Sequence, residues 1–161
     1  MITPNKMNHM SGVADHMRRR ALAYGVDPDI AYVTGYLHDV GYLYGRTRHE
    51  HFGSEILRRC QIQESIASAV ELHANLLEEL PPEKVSPLLV LLVEADLSVD
   101  ASGKQGSFSV RLKDILNRYG KDTIGEVNGI PIYESVRKNM QFVCRYCADH
   151  HIPIPDMTDV F

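Results

Sequence analysis

An adjacent histidine and aspartate, His38 and Asp39, close a stretch in which Ile30, Val33 and Leu37 mark an apolar face. At helical spacing His38 shares its face with Ala31, Thr34 and Gly35, small residues of the kind found where another group must approach a helix closely. His73 repeats the situation, falling i+7, i+4 and i+3 from Ile66, Ala69 and Val70, on the inward stripe of its helix. Asp96 ends LLVLLVEAD, a helix apolar on nearly all sides, where an unpaired carboxylate would cost several kcal/mol or be neutralised. His9 lies on the inner side of an opening helix, beside Val13. A cation resolves the conflict these buried polar groups create. Imidazole and carboxylate together suit a divalent transition metal such as iron, manganese or zinc, and not calcium. Side chains about 100° apart on a helix can converge on one ion while the second oxygen of Asp39 reaches another. Each residue alone is more often a hydrogen-bonded core histidine or a helix-end carboxylate. It is the joint placement of His9, His38, Asp39 and Asp96 that points to metal.

The elements that must position these residues are helical. Apolar residues recur at helical spacing nearly everywhere and no period-two run is long enough for a strand, so the expected fold is all-α. A first helix is expected over 9–24, with Met10, Val13, Met17 and Ala21 on one face and Gly25 at the C-cap position. Asp27 and Pro28 supply an N-cap and a first-turn proline for a second helix over 29–39, stopped at Gly41. Residues 42–48 form a loop; helices follow over 50–60 and from 63 to 72 or beyond, and a fifth opens after Pro82 and runs through Asp96. After a break at 103–106, SVRLKDILNRYG reads as a sixth helix ending at Gly120, and Pro131 starts the last, over 132–149. The tail HIPIPDMTDVF reads as extended across the surface, with Ile152, Ile154 and Phe161 available to dock into a groove.

The length of 161 residues suits one domain, 1–161, able to bury about two-thirds of its unfolded surface. Hydrophobic residues at 44% and charged residues at 24%, with no low-complexity tract and no repeat at a fixed period, exclude disordered and solenoid classes. A net charge of -4, with basic residues scattered apart from Arg18, Arg19 and Arg20, argues against a nucleic-acid duplex as partner but admits a small anionic substrate. The opening MITPNKMNHMSG lacks an apolar stretch of signal-peptide length, and the run over 87–93 is too short to span a bilayer. No membrane partner and a cytoplasmic location are therefore expected, and the sequence leaves the oligomeric state open, a homo-oligomer included. Three cysteines fit a reducing compartment. Cys144 and Cys147 form a lone CxxC inside a helical pattern, expected to be buried as small hydrophobes.

The order His9, then His38 and Asp39 in YLHDVGY, then Asp96 in EAD resembles the H...HD...D signature of the HD-domain superfamily of metal-dependent phosphohydrolases. HMSGVA, GVDPDIAYVTGYLHDVGY, RHEHFGSEILRR and VELH resemble the first four helical motifs of that family, over about residues 7–98. The resemblance implies a compact HD-domain helical bundle with additional C-terminal helices over about 107–150. It implies that His9, His38, Asp39 and Asp96 hold one ion and that Asp39 bridges to a second held by His49 and His73, with His49 and Gly53 in an HxxxG spacing. Two departures stand out. His73 is followed by Ala74 where dinuclear relatives pair histidines, and Tyr42 stands where many HD enzymes carry the lysine of an HDxGK motif. Arg46 and Arg48 in the same loop are the expected substitute phosphate contacts. The implied activity is hydrolysis of a nucleotide or another small phosphate ester or anhydride by metal-activated water, with Asp39 and His38 at its centre. A mixed-valence diiron oxygenase and a non-catalytic regulatory domain that binds metal or nucleotide are the alternatives. His16, His51, His150 and His151 are expected at the surface or the pocket rim, His16 because it lies about 10 Å along the helix from His9.

Overall fold

A computed structural model describes residues 1–155, and among them seven α-helices and several short 3-10 turns carry the architecture, with two isolated bridges in place of any sheet. Helix α1 (Pro4–Arg20) opens on Thr3, whose hydroxyl accepts from the Lys6 backbone N–H, with Pro4 in the first turn. It therefore begins before the expected 9–24, because the Thr-Pro pair starts it, and it ends at Arg20. A 3-10 turn, Ala21–Tyr24, carries the chain to Gly25, whose φ of 69° lies in the left-handed region that glycine adopts without strain. Helix α2 (Pro28–Leu37) is capped by Asp27, which accepts from the N–H groups of Asp29 and Ile30. It stops at Leu37, so His38 and Asp39 sit in the exit turn and not in the last helical turn as expected.

Helices α3 (His49–Arg59) and α4 (Glu64–Leu72) form the next pair. Helix α5 (Pro87–Ser98) starts behind a Ser86 cap and not directly after Pro82, which belongs to a separate 3-10 turn. Helices α6 (Phe108–Tyr119) and α7 (Ile132–Asp149) complete the set. Around α5 the other helices gather: α1, α2, α4, α6 and α7 all pack on it, and its residues 88–95, 97 and 98 are buried. Each buried leucine or valine contributes about 1.5–3 kcal/mol, which makes this helix the apolar axis of the core. The small face of α2 meets α1, where a Cβ at Gly35 would lie 2.7 Å from Ala14 Cα.

One polar cluster crosses this core. His16, expected at the rim, is buried instead, with Nε2 2.6 Å from Glu94 Oε2 and Nδ1 3.0 Å from Gln105 Oε1. Arg20 donates to the same carboxylate from Nε at 2.9 Å and Nη2 at 2.6 Å, and the Tyr24 hydroxyl donates at 2.9 Å. Burial would raise the Glu94 pKa, but His16 and Arg20 outweigh it and hold the carboxyl below its ordinary range. The cluster fastens α1 to α5.

Residues beyond α5 are tied back to the segment after His73. Asn128 accepts from Leu76 N–H and donates to the Ala74 carbonyl, while Asn139 accepts from Leu77 N–H and donates to the Asn75 carbonyl. Cys144 and Cys147 are buried, Cys147 Sγ lies 3.2 Å from the Tyr24 hydroxyl, and burial raises both thiol pKa values, that of Cys144 to about 11. Neither is poised as a thiolate. In the tail Ile152 is buried against the core and Ile154 is exposed, whereas Phe161 lies outside the described residues. No helix among the described residues is long and apolar enough to cross a membrane.

Candidate metal centre

Six side chains from five elements converge beside the inner end of α5. His9 comes from α1, His38 and Asp39 from the turn after α2, His49 from the first position of α3, His73 from the end of α4 and Asp96 from α5. Their potential donor atoms form three overlapping groups, each within 4.8 Å: His9, His38 and Asp39; His38, His73 and Asp96; Asp39, His49 and His73. His9 Nε2 lies 2.8 Å from Asp96 Oδ1. Asp39 turns Oδ2 toward His38 Nε2 at 3.3 Å and Oδ1 toward His49 Nε2 at 3.4 Å and His73 Nε2 at 3.9 Å.

The outer nitrogens explain why the inner ones point the same way. Nδ1 of His9 meets the Asp100 carbonyl at 2.8 Å, Nδ1 of His38 the Gly35 carbonyl at 2.7 Å, and Nδ1 of His73 the Val70 carbonyl at 2.5 Å. A carbonyl only accepts, so Nδ1 is the donor in each and Nε2 is left to face the centre. His49 differs, with Nδ1 3.4 Å from Glu50 Oε2. Such outer partners fix ring orientation in metal sites.

His38 tests whether a metal fits. Its Nε2 is buried and makes no hydrogen bond, although Asp39 Oδ2 and Asp96 Oδ1 lie 3.3 and 3.5 Å away. Burial alone would lower its pKa, but the charges of Asp39 and Asp96 overcome this and push it up to about 10. The position therefore draws positive charge, and a divalent ion meets that demand as a second ring proton does. Both carboxyls are held well below their ordinary range despite burial, Asp39 mainly by His38 and Asp96 by His38 and His9. The His49 pKa is lowered by burial and by His73, a shift toward the neutral imidazole that ligation requires. Four imidazoles and two carboxylates make a donor set suited to divalent transition metal.

The centre opens into two clefts that share the Tyr42 and Arg46 walls, of about 320 Å³ and about 910 Å³. Arg46 borders both and Arg48 borders the smaller, where its guanidinium lies 6.0 Å from the Phe52 ring. Tyr42 stacks on His49 with ring centres 4.3 Å apart. Lys6, absent from the expected site, reaches Asp39 Oδ2 at 3.0 Å. The signal for it lay in Thr3 and Pro4, which start α1 early enough to put Lys6 one turn before His9 on the same face.

Gly41 lets the exit turn of α2 touch the start of α3. A Cβ there would lie 1.7 Å from the His49 carbonyl oxygen and 2.8 Å from Gly53 N, backbone against backbone. Gly41→Ala is expected to shift His49 from Asp39 and to cost about 1–3 kcal/mol, or more, in urea unfolding. Unchanged stability would show that the turn yields.

An all-helical bundle that gathers buried histidines and aspartates from separate helices around one point is a metal-binding architecture. The family model for the HD domain matches residues 7–98, more than half of the chain, and the chain belongs to the HD-domain family, whose members are generally metal-dependent phosphohydrolases. No curated protein and no solved structure matches the chain significantly.

Proposed function

We propose that the protein is a metal-dependent phosphohydrolase acting on a nucleotide or another small phosphate ester or anhydride, with two divalent transition-metal ions such as iron or manganese. The convergence of four Nε2 atoms and two carboxylates at the floor of a cation-edged cleft carries this reading. His9, His38, Asp39 and Asp96 would hold one ion, and Asp39, His49 and His73 the other, with one Asp39 oxygen facing each group. Ions held by these residues would supply activation of water and neutralisation of charge on phosphoryl oxygens.

The chain's own contribution is positional. The carbonyls of Asp100, Gly35 and Val70 orient three imidazoles before any ion arrives, so little reorganisation accompanies loading. Tyr42 stacks on one face of His49 and braces its ring. Arg46, at the boundary of the two clefts, offers a planar guanidinium that pairs with two phosphate oxygens at once, and Arg48 adds charge to the smaller cleft.

Element analysis of protein purified without oxygen is expected to find about two transition-metal equivalents per chain, as a two-metal site requires. Inorganic phosphate should then be released anaerobically from some members of a panel of nucleotides and sugar phosphates, and not after chelation. Oxygen uptake with a mixed-valence iron signal and no phosphate release would identify an oxygenase instead. Tight nucleotide binding without turnover under several metals would identify a regulatory domain.

A further inference from the structure

Lys6 carries a charge that the ligand set does not use. Its ammonium lies 3.0 Å from Asp39 Oδ2 and 4.1 Å from the centre of the Tyr42 ring, at the edge of the 910 Å³ cleft that Arg46 also borders. The side chain is partly exposed, so an incoming molecule can reach it. The oxygen it holds is also 3.3 Å from His38 Nε2, which makes it one of the donor atoms of the centre. An ion held by His9, His38 and Asp39 would weaken the pull of Asp39 on Lys6. The Tyr42 face still keeps the ammonium where it is, because a cation over an aromatic ring is attracted by the ring quadrupole. With two divalent ions bound, the four carboxylates Asp39, Asp96, Glu50 and Glu126 would still fall one short of the five positive charges of the ions and Lys6. The cleft edge then carries surplus positive charge that an anion fills.

We propose that Lys6, seated on the Tyr42 ring, is a substrate-binding residue that donates to an anionic oxygen of the substrate phosphate beside the metal centre. The cation comes from α1, and the residue at position 42 serves as its platform. This rests on the hydrolase reading above for the identity of the anion.

The test is calorimetric titration of inorganic phosphate into manganese-loaded protein, with manganese content measured for wild type, Lys6→Met and Lys6→Arg. Lys6→Met should keep its manganese and bind phosphate about tenfold more weakly or worse, the effect of losing one charge-assisted hydrogen bond. Lys6→Arg should stay within a few-fold of wild type, and the phosphate affinity of wild type should fall more steeply with salt than that of Lys6→Met. Three results overturn the assignment: equal phosphate affinity in wild type and Lys6→Met, loss of manganese from Lys6→Met, or equal loss of phosphate binding in both variants. Manganese-loaded wild type that takes up no phosphate overturns it as well. Wild type that takes up no manganese sinks the hydrolase reading instead. Phosphate titration of the metal-free chains then decides separately whether Lys6 forms an anion site.

Discussion

Asp39→Ala is expected to bring metal content to background and to abolish phosphate release. Asp39 shares a potential metal position with His9 and His38 on one side and with His49 and His73 on the other, so its loss opens both. Removing an outer partner of a metal ligand costs about 10–100-fold, and removing a carboxylate common to two groups should cost more than about a hundredfold in turnover. A variant that keeps its metal and its activity would sink the ligand assignment. The metal-free protein gives an independent readout. The His38 pKa is raised from 6.5 to about 10, so the pairing of His38 with its carboxylates stabilises the fold fully below 6.5 and is lost as pH rises through about 10. In Asp39→Ala one of the two carboxylates is gone, and thermal unfolding of the chelated protein should depend less on pH across that window.

Glu94→Ala is expected to destabilise the fold by about 3–5 kcal/mol, the usual consequence of removing one partner from a buried charged cluster. The carboxylate is buried, meets four donor atoms from His16, Arg20 and Tyr24, and has no substitute acceptor among those contacts. Against a total stability of about 5–15 kcal/mol the loss is large, and it should lower the melting temperature of chelated protein by about 10 °C or more. The acid limb carries the sign. Glu94 is held below its ordinary 4.5, so its contribution is present above 4.5 and disappears as pH falls through the lower folded value. Wild type should lose stability in that range faster than the variant. Combining Arg20→Met with Glu94→Leu should recover part of the loss, since the double change leaves no guanidinium stranded and only His16 and the Tyr24 hydroxyl lose their acceptor. A purely additive loss would show that charge pairing is not the cause.

His9, His38, Asp39, His73 and Asp96 were legible because each is a polar residue on an apolar stripe or at its end, a conflict visible within one turn or two of its own helix. His49 has no such local contrast, since it begins α3 and only the HxxxG spacing marked it. The all-α class followed from periodicity, and the start of α2, the end of α6 and the start of α7 followed from Asp27, Gly120 and Pro131. The Glu94 cluster was hidden for a different reason. Arg20 belongs to a basic triplet that reads as a solvated face, Glu94 sits two residues from the more conspicuous Asp96, and their pairing spans 74 positions of chain. A single sequence carries local periodicity, but it holds no record of which distant charge neutralises which. Lys6 was missed through a boundary: with α1 begun at His9, the preceding turn looked like a loose terminus.

The amide clamps of Asn128 and Asn139 have a consequence beyond holding the segment after His73. Gly125, Asn128, Ile132 and Ser135 wall the smaller cleft, and all lie outside residues 7–98, which contain all six side chains of the centre. The smaller cleft is thus walled jointly by the stretch that supplies the six side chains and by a later stretch that supplies none of them. Substitutions at Gly125, Asn128, Ile132 or Ser135 would alter the shape of that wall without replacing any of the six side chains of the centre.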